Sequence, residues 1–221
     1  MTSDPIDDGP GRSPRIGRPR GFDRDRLLVE IIDLFSRHGY EGLSIADLAA
    51  SLGISHPSLY AAFGPKPALY RKALDHYAAT WTAQARTALS SPCLTTALQD
   101  FLDLQVRALS GTYASRGSML SAALLTSGPQ RAPEARHAAI LRSAMIRTVR
   151  ARFEKAASER AIARTIDTTL PATCVVGLIH AMSILSRDGA TPLTLSAVGR
   201  IGLTGILHDC RMGLDDLVIA A

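Results

Sequence analysis

The chain has 221 residues, 46% of them hydrophobic, 20% charged and 5% aromatic, and carries a formal net charge of +5 with a pI near 9.4. That length holds one or two packed domains; the apolar content excludes a disordered chain, and 17 Gly with 12 Pro follow no collagen period. No run of about 18 apolar residues stands out, the N-terminus bears Asp4, Asp7 and Asp8 instead of an apolar leader, and the odd set Cys93, Cys174 and Cys210 cannot all pair internally. A cytoplasmic protein without membrane association is expected.

The first 80 residues hold ten cations and ten acids, yet Arg12, Arg15, Arg18 and Arg20 stand together without an acid among Gly11, Pro14, Gly17, Pro19 and Gly21. Such a stretch reads as a flexible cationic arm over residues 1–20, either solvated or bound to phosphate. Helical periodicity starts directly after it. Leu27, Leu28, Ile31, Ile32 and Phe35 form one apolar face, with Asp23 as N-cap and Gly39 as terminator. Ser44 and Asp47 make a capping box ahead of Ile45, Leu48, Ala49 and Leu52, and Gly53 ends that run. Ser55 caps a short third helix with Pro57 in its first turn and Leu59, Tyr60 and Phe63 facing inward; a fourth begins near Lys66 and runs to about Trp81. From Pro92 onward the periodicity predicts helices over about 94–110, 117–127, 133–158, 168–187 and 193–210.

The fold class is therefore all-α: an N-terminal three-helix unit over 21–80 and a helical bundle over 81–221. Within the first unit, a short helix, a Gly-containing turn and a Ser-capped second helix form a helix-turn-helix whose second helix suits a DNA major groove. An ordinary αα-hairpin is the alternative for this pattern alone. In the helix-turn-helix reading His56, Pro57 and Ser58 approach base edges, while Tyr60 and the helix N-termini at Ser44 and Ser55 meet phosphates. Arg18 and Arg20 in the arm reach a minor groove or backbone phosphates, or stay in solvent.

The segments Gly17-Arg18-Pro19-Arg20-Gly21-Phe22-Asp23, Gly39-Tyr40-Glu41-Gly42-Leu43-Ser44, Ile54-Ser55-His56-Pro57-Ser58-Leu59-Tyr60-Ala61-Ala62-Phe63 and Lys66-Pro67-Ala68-Leu69-Tyr70 resemble the DNA-binding domain of the tetracycline-repressor (TetR) family, in order along residues 18–80. The resemblance implies a homodimeric transcriptional regulator, usually a repressor of double-stranded DNA released by a small molecule, with an all-helical ligand-binding and dimerisation domain. It also implies a phosphate contact for Lys66, although Pro65-Lys66-Pro67 replaces the family's usual Ser-Lys-Glu and removes the helix cap. Arg116-Gly117-Ser118-Met119-Leu120 and Met182-Ser183-Ile184-Leu185-Ser186-Arg187-Asp188-Gly189-Ala190 resemble one branch of the family, whose members commonly have Cys where Ser118 stands.

By the same analogy an effector cavity is expected near Phe101, Gln105, Leu109, Met119, Ala123, Thr126, Met145, Phe153 and Cys174; core packing explains those residue types equally. The segment 131–164 holds nine cations against Glu134, Glu154 and Glu159, with Ile140, Leu141, Ala144, Met145, Thr148 and Phe153 as its apolar side. It reads as an amphipathic helix with a solvated basic face, or as an attractor of an anion. Small residues Gly177, Ala181, Gly202 and Gly205 among aliphatics near 174–185 and 193–207 suggest a face that pairs with a second copy. The spacing of His38, His76, His137, His180 and His208 to Cys and carboxylates is not that of metal ligands, Cys174 and His180 do not share a helix face, and no Gly-rich phosphate loop occurs. No metal, cofactor or enzyme activity is expected. The competing functional reading is a constitutive DNA-binding protein that recruits a protein partner; a helical enzyme is the third.

Overall fold

The computed structural model describes residues 23–110, 118–122, 132–163 and 165–212, and these form nine helices with no strand among them. In chain order they are α1 (Arg24–His38), α2 (Ile45–Ser51), α3 (His56–Phe63), α4 (Lys66–Ala88), α5 (Leu94–Ser110), α6 (Met119–Ala122), α7 (Ala132–Ser158), α8 (Thr169–Arg187) and α9 (Pro192–Met212). The arm with Arg18 and Arg20, and the pocket candidates Ala123 and Thr126, lie outside the described residues.

Local chemistry sets most boundaries. The Asp23 carboxylate accepts from the N–H groups of Asp25 (3.0 Å) and Arg26 (3.3 Å), which starts α1, and Gly39 at φ +72 ends it. At the end of α2, Gly53 adopts φ +65, its N–H donates to Ala50 and that of Ile54 to Ala49, the paired bonds of a Schellman motif. The same motif closes α8 around Gly189. Helix α4 has no side-chain cap at Pro65 and runs past Trp81 to Ala88, because nothing breaks it before the Ser90-Ser91-Pro92 segment.

A continuous hydrophobic core joins all of this. Leu27, Ile31 and Phe35 of α1, Leu48 of α2 and Leu59 and Phe63 of α3 close over Leu69, Tyr70, Ala73 and Leu74, the first turns of α4. Farther along α4, Trp81 and Ala85 pack into the larger bundle, so one 23-residue helix carries both halves. Phe35, Tyr40 and Tyr70 form an aromatic cluster, with edge contacts to Tyr70 at 4.9 and 4.8 Å. In the bundle α8 is flanked by α7 and α9, and α9 returns against α5.

Three expectations need correction. Tyr60, expected to face inward with Leu59 and Phe63, is exposed, because it lies one position beyond the buried Leu59–Phe63 stripe of α3. Helix α8 has the length and the mean hydropathy, 1.6, of a membrane-crossing segment, so an apolar run of that size does exist over 169–187. Its Val175, Val176, Ile179 and Met182 are buried in the protein core, while Leu170 and Ile184 are exposed on its outer face. On α7 the buried stripe is Ala138, Met145, Val149, Arg152, Phe153 and Ala156; Ile140, expected inside, is 62% exposed, and Arg152, expected in solvent, is 5% exposed. The Arg152 Nη2 donates to the carbonyls of Ser91 (3.1 Å) and Pro92 (2.8 Å), so this arginine holds the turn before α5.

Candidate nucleic-acid interface and regulatory core

Helices α2 and α3 are short and doubly fastened. The Ser44 hydroxyl oxygen accepts from the Asp47 N–H at 3.0 Å and the Asp47 carboxylate accepts from the Ser44 N–H at 2.8 Å. Hydrogen bonding of the carboxylate, to the Ser44 side chain first and then to the Ser44 N–H, holds the Asp47 pKa below its ordinary value. The Ser55 hydroxyl oxygen accepts from the Ser58 N–H at 3.2 Å and shares a 2.8 Å bond with the Ser58 hydroxyl. Both cap hydroxyls are thus occupied in building the helix ends. With Leu59 and Phe63 buried, α3 turns His56, Pro57 and Tyr60 outward, Tyr60 being 53% exposed, and leaves Ser58 half-buried. Of the expected contact residues, His56, Pro57 and Tyr60 share one accessible surface, with the exposed caps Ser44 and Ser55 beside them.

Two lysines flank that surface. The Lys66 ammonium stands 4.2 Å over the Tyr40 ring, a cation–π contact that orients it although its helix lacks a cap. Lys72 donates to the Phe63 carbonyl at 3.5 Å, placing a cation at the negative end of α3. This second contact was not anticipated, because it links positions nine residues apart in two helices.

The expected effector residues divide. Phe101, Leu109, Met119, Met145 and Phe153 are buried core, and Gln105 accepts from the Trp81 indole N–H at 3.0 Å, a buried link between α4 and α5. Cys174 is exposed on α8, which removes it from any internal cavity. None of these candidates lines the groove of about 510 Å³ between α5 and α9, whose walls include Asp100, Asp103, Val106, Arg200 and Leu203.

A buried polar network occupies the region where α4, α6, α7 and α8 meet. The Tyr77 hydroxyl donates to Ser118 Oγ (2.9 Å), the Ser118 N–H donates to Ser183 Oγ (2.6 Å), and Ser121 Oγ meets His180 Nδ1 (2.7 Å). Burial raises the Tyr77 pKa, and burial followed by the Arg142 charge lowers that of His180 to about 4. These bonds span 41 to 65 residues, and the only sequence hint was the Ser-rich pattern of the branch resemblance. The same face of α8 ends in Arg187, which donates to the carbonyls of Ser36 (3.1 Å) and Arg37 (3.4 Å) in the last turn of α1. The larger bundle thereby touches the helix that supports α2 and α3.

Residues 27–73 match the family of bacterial regulatory proteins, tetR family. The chain is 29% identical over 177 residues to the transcriptional repressor ComR of Escherichia coli K12, covering 79% of this chain and 84% of that protein. It is 41% identical over 64 residues to the repressor BdcR of the same organism, 29% of this chain and 32% of that protein. Among solved structures it is similar to the TetR family transcriptional regulator CifR, as a cysteine mutant complexed with 26 bp double-strand operator DNA, at 32% identity and a TM-score of 0.79, over 85% of this chain and 98% of that one. The matched helix-turn-helix segment, together with that likeness over nearly the whole of a solved relative, shows that the chain belongs to the TetR family of bacterial transcriptional regulators.

Proposed function

We propose that the protein is a cytoplasmic, homodimeric repressor that binds a pseudo-palindromic operator through α3 and is released by a small-molecule effector bound in the larger bundle. Residues 21–80 are its DNA-reading unit, 81–221 its regulatory and dimerisation unit. The observation that carries the reading is the capped α3, which buries Leu59 and Phe63 and presents His56, Pro57 and Tyr60 to solvent. His56 in the first turn is the residue for base edges; Tyr60 and Lys66 suit phosphates. The operator complex of CifR and the repressor role of ComR support the assignment.

Dimerisation is supported by the outer faces of α8 and α9. Leu170, Cys174, Gly177, Ala181 and Ile184 recur at alternating spacings of four and three along one exposed stripe, and α9 adds Leu193, Ile201 and Gly205, with Ile201 71% exposed. Gly177 and Gly205 have open space where a Cβ would stand, room for a close approach by another helix. Gly202 serves differently, since a Cβ there would come 2.8 Å from the end of the Leu178 side chain, which would have to shift.

Gel shifts with DNA upstream of the gene test the proposal. The wild type binds a palindromic fragment, His56→Ala changes which sequences are preferred, and Lys66→Ala weakens all fragments alike and flattens the salt slope by about one per protomer. Absence of binding to any palindrome at low salt, with the variants indistinguishable from wild type, sinks the reading.

A further inference from the structure

The outward face of α3 is centred on carbon. Its eight residues include no Arg, Lys, Asn, Gln, Asp or Glu, the side chains that make the strong hydrogen bonds to base edges. Burial of Leu59 and Phe63 fixes which way the helix is turned. At about 100° per residue, Ala61 stands opposite the midpoint of those two, and Pro57, one turn earlier, stands about 40° from Ala61. Both are exposed, so the Ala61 methyl and the Pro57 ring form the middle of the face that a major groove would receive.

The polar groups beside that ridge are engaged or stand at its edge. Ser58 is half-buried, and its hydroxyl shares the 2.8 Å bond with the Ser55 hydroxyl, whose oxygen also accepts from the Ser58 N–H. Tyr60 lies on the flank, and His56 stands at the start of the helix, its neutral ring offering one donor and one acceptor. Thymine is the base that carries a methyl group into the major groove; cytosine presents an amino group there, and the purines present ring nitrogens with a carbonyl or an amino group. Carbon pressed onto those polar groups removes their water without replacing it, which is costly, whereas a methyl group gains by being covered.

We infer that Pro57 and Ala61 select thymine in each half-site of the operator, each by covering one C5-methyl group, so that two T·A pairs lie under the outward face of α3. This assignment rests on the DNA-binding reading above and names the bases that are read. The helix sets their spacing. Four residues advance about 6 Å along α3, less than two base steps of about 3.4 Å each, so the two thymines stand no more than two steps apart. Hydrogen-bond readout is left to His56 at the edge of the pair.

The test starts from a site that the full chain selects out of random double-stranded DNA. Each thymine of that site is replaced in turn by deoxyuridine, which removes the methyl group and leaves every hydrogen-bonding group in place. Two thymines per half-site are expected to respond, each with about a fourfold loss of affinity, the size of one buried methyl, and about a fifteenfold loss when the symmetry-related pair is changed together. Deoxycytidine at the same positions binds more weakly still, and 5-methyldeoxycytidine recovers part of that loss. Two variants assign the residues. Ala61→Ser removes the deoxyuridine response at one thymine and Pro57→Ala lessens it at the other, each leaving the response of the remaining thymine intact. Affinity unchanged by deoxyuridine at every thymine, or responses that persist in both variants, overturns the assignment while the DNA-binding reading stands. Failure to select any site from the random pool overturns both.

Discussion

Gly42 lies in the turn between α1 and α2, and a Cβ built there would stand 2.3 Å from the His38 carbonyl oxygen, a backbone atom that cannot swing aside. Gly42→Ala must therefore shift the end of α1 or the start of α2, at a cost of about 2 kcal/mol or more. Thermal unfolding checks this, with a fall in Tm of roughly 4–8 °C expected for a chain of this size. His180 gives a pH dependence. Its pKa is 6.5 in an ordinary environment and about 4 in the fold, where burial is the leading cause. Between those values the unfolded chain binds the extra proton, so stability present above 6.5 is lost as the pH falls through the window towards 4. The contribution is at most about 3 kcal/mol. Urea unfolding at stepped pH should show the wild type losing more stability across that window than His180→Gln; equal losses would place the titration elsewhere. Neither effect was legible in the sequence, since Gly42 looks like any turn glycine and His180 like any helix residue until Ser121, 59 positions away, is placed beside it.

At the scale of elements, helix ends were the most legible feature. Ser44 with Asp47, Ser55 ahead of Pro57, and Gly39 and Gly53 each act within a few residues of their own position, and each is found in the predicted role. The end of α7 is the exception. Arg160 sits at φ +61, where Gly39, Gly53 and Gly189 serve elsewhere, and the bonds from Arg160 N–H to Ala157 and from Ala161 N–H to Ala156 repeat the Schellman pattern. A side chain in that conformation is strained by about 1 kcal/mol, so Arg160→Gly should leave stability unchanged or raise it by up to that amount, despite the larger entropy of glycine in the unfolded chain. Chemical denaturation measures it; a clear loss would mean that the Arg160 side chain has a stabilising partner. Faces were less legible than ends. Ile140 was expected inside and Arg152 outside, and the reverse holds, because a long helix with nine cations in its neighbourhood offers several stripes and only the neighbouring elements select one.

At the scale of the molecule, the contact on which the proposed release depends is Arg187 on the last turn of α1. Its two bonds join α8 to the DNA-reading unit across 150 residues. Arg187→Met keeps the stem and removes the donors. Hydrogen exchange in the last turn of α1 should quicken while that of α5 stays as it was, and the ability of an effector to release DNA should weaken. If α1 exchange is unchanged, the link between the two units runs instead through the packing of α6 against α1.

By itself the sequence determined the all-helical class, the order and caps of the helices and the helix-turn-helix, because these depend on periods of three to four residues and on hydrogen bonds to nearby backbone. Only the tertiary structure decided that Arg152 is buried, that Cys174 is not, that Lys66 stands over Tyr40, that Ser118 meets Ser183 and that Ser121 meets His180. Those outcomes depend on which helix faces are brought together. Packing fixes that choice collectively, through contacts between segments far apart in the chain, and no local pattern encodes it.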